Sequence, residues 1–203
     1  MLYNIDGIST VAVHDIFDPL PLFMHRADVI FVDPPYNQAL LTNFSNMQGA
    51  KISEDNPVNF TKFTDRLFEC IAEIAPRSVF IEMGKEYTPD YVLRVRDLYK
   101  YTTFYNSTYA HKPQSKCYII YGTNDVTQKR LQSIEDRDEE DVIKWITSFY
   151  PYKVIGDLCM GLGLVGINAH RAGKPFVGTE LNQKRLLKML DSLQKRGANV
   201  KSS

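Results

Sequence analysis

The chain has 203 residues and a mass of 23.3 kDa, a hydrophobic content of 44%, and 24 basic side chains against 24 acidic ones. That length suits one α/β domain with an adequate core, and the charge balance lacks the basic excess with which a free-standing duplex-DNA binder neutralises phosphates. No apolar run approaches the roughly 18 residues of a membrane span, the start Met1-Leu2-Tyr3 lacks the layout of a signal peptide, and Cys70, Cys117 and Cys159 show no zinc spacing and read as reduced thiols of a cytoplasmic protein.

In chain order, residues 8–13 alternate weakly and suggest a first strand, and residues 14–27, with Asp18-Pro19-Leu20-Pro21, read as a loop. Asp28-Val29-Ile30-Phe31-Val32-Asp33 is an apolar run that reads as a strand buried on both faces of a parallel sheet. Pro34 and Pro35 donate nothing to a ladder, so the chain leaves the sheet there with Asp33 at the carboxyl end of the strand and Tyr36 on a stiff turn. That edge is where open α/β sheets bind ligands. Residues 37–57 are polar and small and are expected to form a long loop, of the kind that serves as a lid or is partly disordered.

Phe60, Phe63, Leu67, Ile71 and Ile74 follow at helical spacing and predict a helix ending before Pro76. Residues 78–84 read as a second buried strand, and Thr88-Pro89-Asp90 as a helix cap with a helix through about Tyr99. Residues 101–109 and 117–121 are strand-forming and predict an antiparallel hairpin whose connector holds His111, Lys112 and Lys116. The acidic run Glu135 to Asp141 is expected to be a solvated loop leading into a helix marked by Val142, Ile143, Ile146 and Phe149. His14, His25 and His170 form no constellation with Ser or Asp that suggests a hydrolase.

Residues 153–182 read as strand, glycine turn, helix, strand, acidic residue. Gly161 and Gly163 let the backbone approach a ligand at a helix start, and Glu180 ends the next strand where two ribose hydroxyls would be held. Gly161-x-Gly163-x-x-Gly166 also satisfies the pattern of a nicotinamide site, so these residues alone leave the cofactor open. A final helix carries Leu186, Leu187, Leu190 and Leu193 on one face.

Taken together, Asp33-Pro34-Pro35-Tyr36, Asp157-Leu158-Cys159-Met160-Gly161-Leu162-Gly163 and Gly178-Thr179-Glu180-Leu181-Asn182 resemble the catalytic, cofactor and ribose motifs of the amino-group methyltransferases. Leu158 and Cys159 depart from the Pro-Phe usual in the second motif. Because the catalytic motif precedes the cofactor motif, the order resembles that of the permuted β class of DNA amino-methyltransferases and of related RNA adenosine enzymes. The resemblance implies a Rossmann-like methyltransferase fold, a mostly parallel sheet with an antiparallel hairpin, in one catalytic domain spanning residues 1–203.

It also implies S-adenosylmethionine as cofactor and transfer to an exocyclic nucleobase amine, with adenine N6 in DNA favoured over cytosine N4. RNA methylation and a non-catalytic nucleic-acid-binding subunit stand as alternatives. Asp33, Pro34, Pro35 and Tyr36 are the implied catalytic residues. Asp157, Cys159, Met160, Gly161, Gly163, Leu164, Glu180, Leu181 and Asp33 are the implied cofactor contacts, with no metal. Asp157 either meets the cofactor amino group or fixes the glycine turn, and Asn37 is either a supporting group or a turn amide. The interval 122–140 is a short charged connector where sequence-specific enzymes of this class carry an inserted recognition domain. A homo- or hetero-oligomeric partner is therefore expected to supply part of the recognition surface.

Overall fold

A computed structural model describes residues 1–46, 59–109 and 112–202. Its ten strands are β1 (Leu2–Ile5), β2 (Ser9–Val13), β3 (Val29–Val32), β4 (Ser78–Gly84), β5 (Tyr101–Tyr109), β6 (Lys112–Thr123), β7 (Arg137–Asp138), β8 (Ile155–Asp157), β9 (Phe176–Glu180) and β10 (Val200–Ser202). The helices are α1 (Gln38–Asn46), α2 (Phe60–Ile74), α3 (Thr88–Leu98), α4 (Glu139–Phe149), α5 (Leu164–Arg171) and α6 (Gln183–Gln194).

All ten strands join one sheet in the order β10-β1-β2-β9-β8-β3-β4-β6-β5-β7. The centre, from β2 to β4, is parallel, and β6 and β5 add an antiparallel hairpin beyond β4. The last strands of the parallel set in the chain, β8 and β9, sit in its middle, so the permuted motif order is built into the sheet.

Alternation along β3 explains the layering. Val29 and Phe31 pack into the core shared with α4, α5 and α6, whereas Ile30 and Val32 pack into the core shared with α1, α2 and α3. Every one of these four is at most 1% exposed. Both faces are covered, as a parallel sheet requires.

β3 is locked to β8 by Asp28, just before it. Asp28 Oδ1 accepts from Lys153 N at 2.9 Å and Val154 N at 2.8 Å, and its own N–H donates to Val154 O at 3.0 Å. This clasp sets the two strands side by side, which puts their carboxyl ends together at the opposite edge.

Several expectations are corrected. Residues 38–46 are helical, not loop: Asn37 Oδ1 accepts from Leu40 N at 3.0 Å, and Leu40, Leu41 and Phe44 give the segment an apolar face that its many amides obscure. Asn37 is thus a turn amide. The remainder of the expected loop, like His111, lies outside the described residues. Strands β1 and β10 were not anticipated, although Asp6-Gly7, both at positive φ (54° and 74°), is the hairpin dipeptide that joins β1 to β2.

The cap of α3 is Tyr87, not Thr88; the Thr88 hydroxyl instead donates back to Gly84 O at 2.9 Å. Phe149 (76% exposed) and Leu187 (44%) stand outside the cores their spacing predicted. The connector over 122–140 holds two 3-10 turns and the short β7. Among the described residues, no helix is long and apolar enough to cross a membrane.

Asp28→Ala removes the acceptor for two backbone N–H groups, at a cost of about 2 kcal/mol. Urea unfolding should show that loss, and Asp28→Asn, which retains Oδ1, a smaller one.

Candidate active site

The carboxyl ends of β2, β3, β8 and β9 open into one cavity of about 630 Å³, a volume suited to a small-molecule ligand. It gathers Asp33, Pro34, Pro35 and Tyr36 from the turn after β3, and Asp157, Cys159, Met160 and Gly161 from the turn after β8. Leu164 of α5 and Glu180 and Leu181 at the end of β9 complete the residues expected there. Gly163 does not line it. That glycine, at φ 79°, caps α5, and a Cβ on it would lie 2.3 Å from Met189 Cγ. It shapes the turn rather than touching the cavity.

The glycine turn is held by acids. Glu180 Oε2 accepts from Gly161 N at 2.6 Å and Oε1 from Asn182 N at 2.8 Å. Each oxygen keeps a further lone pair towards the cavity. Gly161, at φ 55°, has no atom closer to a built Cβ than Arg185 Nη1 at 3.9 Å, so its backbone is open to a ligand. Asp157 Oδ1 accepts from Cys159 N at 3.0 Å, which fixes the turn. Burial pushes its carboxyl up to about 7, and burial also raises Glu180.

The opposite end of the cavity is acidic beyond what the motif supplies. Parallel register pairs Phe31 with Phe80 and Val32 with Ile81, and its continuation brings Glu82 beside Asp33. Glu139, first residue of α4, reaches the same point. One oxygen from each of Asp33, Glu82 and Glu139 lies within 4.8 Å of the other two. Glu82 is fully buried and accepts the Tyr36 hydroxyl on Oε1.

Burial, then the Asp157 charge, pushes Asp33 up to about 7. Burial, then the Asp33 charge, pushes Glu139 up to about 8 and raises Glu82 well above the usual carboxylate range. Glu139 corrects the expectation of a solvated acidic run: it is only 8% exposed, whereas Glu135 and Asp136 are exposed. Asp138 caps α4 by accepting from Glu140 N at 3.2 Å, and this turns Glu139 inward.

One aromatic pair and one cation–π pair frame the mouth. Tyr36 meets Tyr109 edge to face at a centroid separation of 6.5 Å, and Gly84 admits the Tyr36 ring, since a Cβ there would lie 3.0 Å from it. Across the cavity the Arg185 guanidinium lies 4.9 Å from the Phe44 ring centroid, joining α6 to α1. Glu82, Tyr109, Phe44 and Arg185 were not anticipated. Only Glu82 left a signal, a charge inside an otherwise apolar strand.

No protein-family model matches the sequence, and no curated protein matches it. In structure the chain is similar to M1.HpyAVI (TM-score 0.59, 14% identity, 90% of this chain and 97% of that one). It is similar to TTHA0409 of Thermus thermophilus, a candidate DNA modification methylase (TM-score 0.59, 15% identity, 84% and 87% covered). It is also similar to the cytosine-N4-specific PvuII DNA methyltransferase (TM-score 0.60, 8% identity, 90% and 85% covered). M1.HpyAVI and TTHA0409 have also been solved in complex with S-adenosylmethionine. The chain has the mixed α/β fold of solved DNA methyltransferases.

The raised carboxyls set the sign of the pH dependence. Between about pH 4 and pH 8 these carboxyls bind more protons in the folded chain than in the unfolded one, so their contribution to stability falls as pH rises through that window. Glu82→Gln keeps an acceptor for Tyr36 and removes one ionisation. Its melting temperature should exceed that of the wild type at about pH 8 and converge with it near pH 4.

Proposed function

We propose that this chain is an S-adenosylmethionine-dependent methyltransferase acting on the exocyclic amine of a nucleobase, with adenine N6 in DNA as the first assignment. One observation supports this reading above the rest: Asp33-Pro34-Pro35-Tyr36 and the Gly161 turn with Glu180 open into the same cavity from neighbouring strands.

The cavity fits the cofactor. Glu180 has lone pairs left for two ribose hydroxyls, the open Gly161 backbone accommodates close approach, and Cys159, Met160, Leu164 and Leu181 supply apolar walls. Asp157 takes the adenine amino group while holding the turn. When bound, the cofactor supplies a sulfonium-activated methyl group, whose transfer leaves the electron pair on sulfur and a proton to be lost from the amine.

The rest falls to the protein. A nucleobase amine is conjugated with its ring, so its lone pair is a poor nucleophile. The Asp33 carboxylate and the Pro34 carbonyl accept its two N–H bonds and turn the lone pair towards the methyl group, an effect of orientation and electrostatics. Pro35 stiffens the turn. Tyr36, tethered by its hydroxyl to Glu82, presents its ring to a base extruded from the stack. The likeness to the PvuII enzyme favours cytosine N4 as the second reading.

Asp33→Ala should abolish methyl transfer while cofactor affinity, read by calorimetry, stays within about threefold of wild type. Glu180→Ala should weaken that affinity by about tenfold or more, the value of one or two charged hydrogen bonds. Transfer by Asp33→Ala at the wild-type rate would overturn the assignment. DNA and RNA offered at equal concentration separate the two nucleic acids as substrates.

Recognition follows from charge. With no net charge and only a short connector over 122–140, the chain is assigned weak DNA binding of relaxed sequence preference, or a homo- or hetero-oligomeric partner that adds basic surface. Affinity of the isolated chain for duplex DNA should fall steeply with salt. Nanomolar, site-specific binding by a monomer at physiological salt would contradict this.

A further inference from the structure

Methyl transfer to an amine leaves a proton to be disposed of inside a closed site, and the arrangement around Asp33 bears on where it goes. Asp33, Glu82 and Glu139 approach within 4.8 Å of one another. Among the described residues, none of the three forms a salt bridge with a lysine, arginine or histidine. The second observation is independent of that clustering. Glu82 is 0% exposed, its Oε1 takes the Tyr36 hydroxyl, and its Oε2 is enclosed with no hydrogen-bond partner among the described residues. An enclosed carboxylate oxygen without a donor is costly unless it carries or shares a proton.

Resting on the methyltransferase reading above, we propose that Asp33, Glu82 and Glu139 act as one proton-sharing unit that carries a single negative charge at neutral pH, takes the amine proton on Asp33 and releases a proton to solvent through Glu139. The balance is simple. The N–H bond of the methylated amine breaks, its electron pair stays on nitrogen, and the proton forms an O–H bond on Asp33. A proton already held by the unit leaves Glu139, which alone of the two glutamates has surface to water.

The groups facing the unit work in the same sense. They are Tyr36 and Asp157 around Asp33, Cys117 of β6 beside Glu82, Asp138 and Glu140 beside Glu139, and Tyr109 of β5. None is a cation, so nothing on these elements offsets a second negative charge. Arg185, the cation facing Tyr109, lies across the cavity. Burial raises all three carboxyls above their usual range, and the charges of neighbouring acids add to it: Asp157 for Asp33, and Asp33 for both Glu82 and Glu139.

The test has two arms on the full chain. Carbon-13 carboxyl titration of the cofactor-free protein should show one ionisation of the unit by about pH 7 and two protons retained there. Ionisation of all three carboxyls below about pH 5 overturns the proposal. In methyl transfer to unmethylated DNA, Glu139→Ala should lower kcat by about tenfold or more, leave KM for S-adenosylmethionine unchanged, and recover with added formate, while Glu139→Asp retains activity. A folded Glu139→Ala protein with wild-type kcat, or with a loss that formate does not relieve, also overturns it. A wild-type chain that methylates no nucleobase fails the functional reading instead, which the titration reports separately.

Discussion

Everything at the site depends on three strand ends whose carboxylates are drawn into the fold with almost no countercharge. Asp33 directly follows β3, and Asp157 and Glu180 end β8 and β9; the three strands lie side by side in the parallel centre of the sheet. Apolar strands covered on both faces push these groups into a poorly solvated edge, where ionisation is costly and each hydrogen bond counts for more. Backbone N–H groups answer that cost at two of them: Gly161 and Asn182 donate to Glu180, and Cys159 donates to Asp157. Asp33 has the Tyr36 hydroxyl and otherwise fellow acids around it.

This asymmetry divides the cavity into two chemical halves. In the half built on β8 and β9 the acids accept backbone N–H groups, and this is the side on which the proposed function places the cofactor. The half around Asp33 holds three carboxyls close together and a tyrosine tethered to one of them, the arrangement on which the proposed proton transfer rests. The clasp of Asp28 on Lys153 and Val154 keeps the halves in register from the far end of the strands. α1, which follows the proline turn directly, ties itself to α6 through Phe44 and Arg185, so both halves share one roof.

What was legible in the sequence was what local chain chemistry determines. The apolar run into Pro34-Pro35, the glycine turn after Ile155-Gly156-Asp157 and the amphipathic α2 each declare themselves within ten or so residues. What was missed depends on register or on competing patterns. Glu82 becomes a neighbour of Asp33 only because Val32 pairs with Ile81. Glu139 turns inward because Asp138, one residue earlier, caps the helix, and the other acids of that run suggested solvent. The amides of residues 37–46 hid a helix whose apolar side is only Leu40, Leu41 and Phe44.

The most direct test of the central claim is to incubate the wild-type chain with methyl-deuterated S-adenosylmethionine and unmethylated DNA, digest the DNA to nucleosides and resolve them by mass spectrometry. The account predicts the heavy methyl group on an exocyclic amine, as N6-methyladenine. Heavy label on a ring carbon, or DNA free of label while the cofactor is bound, would contradict it.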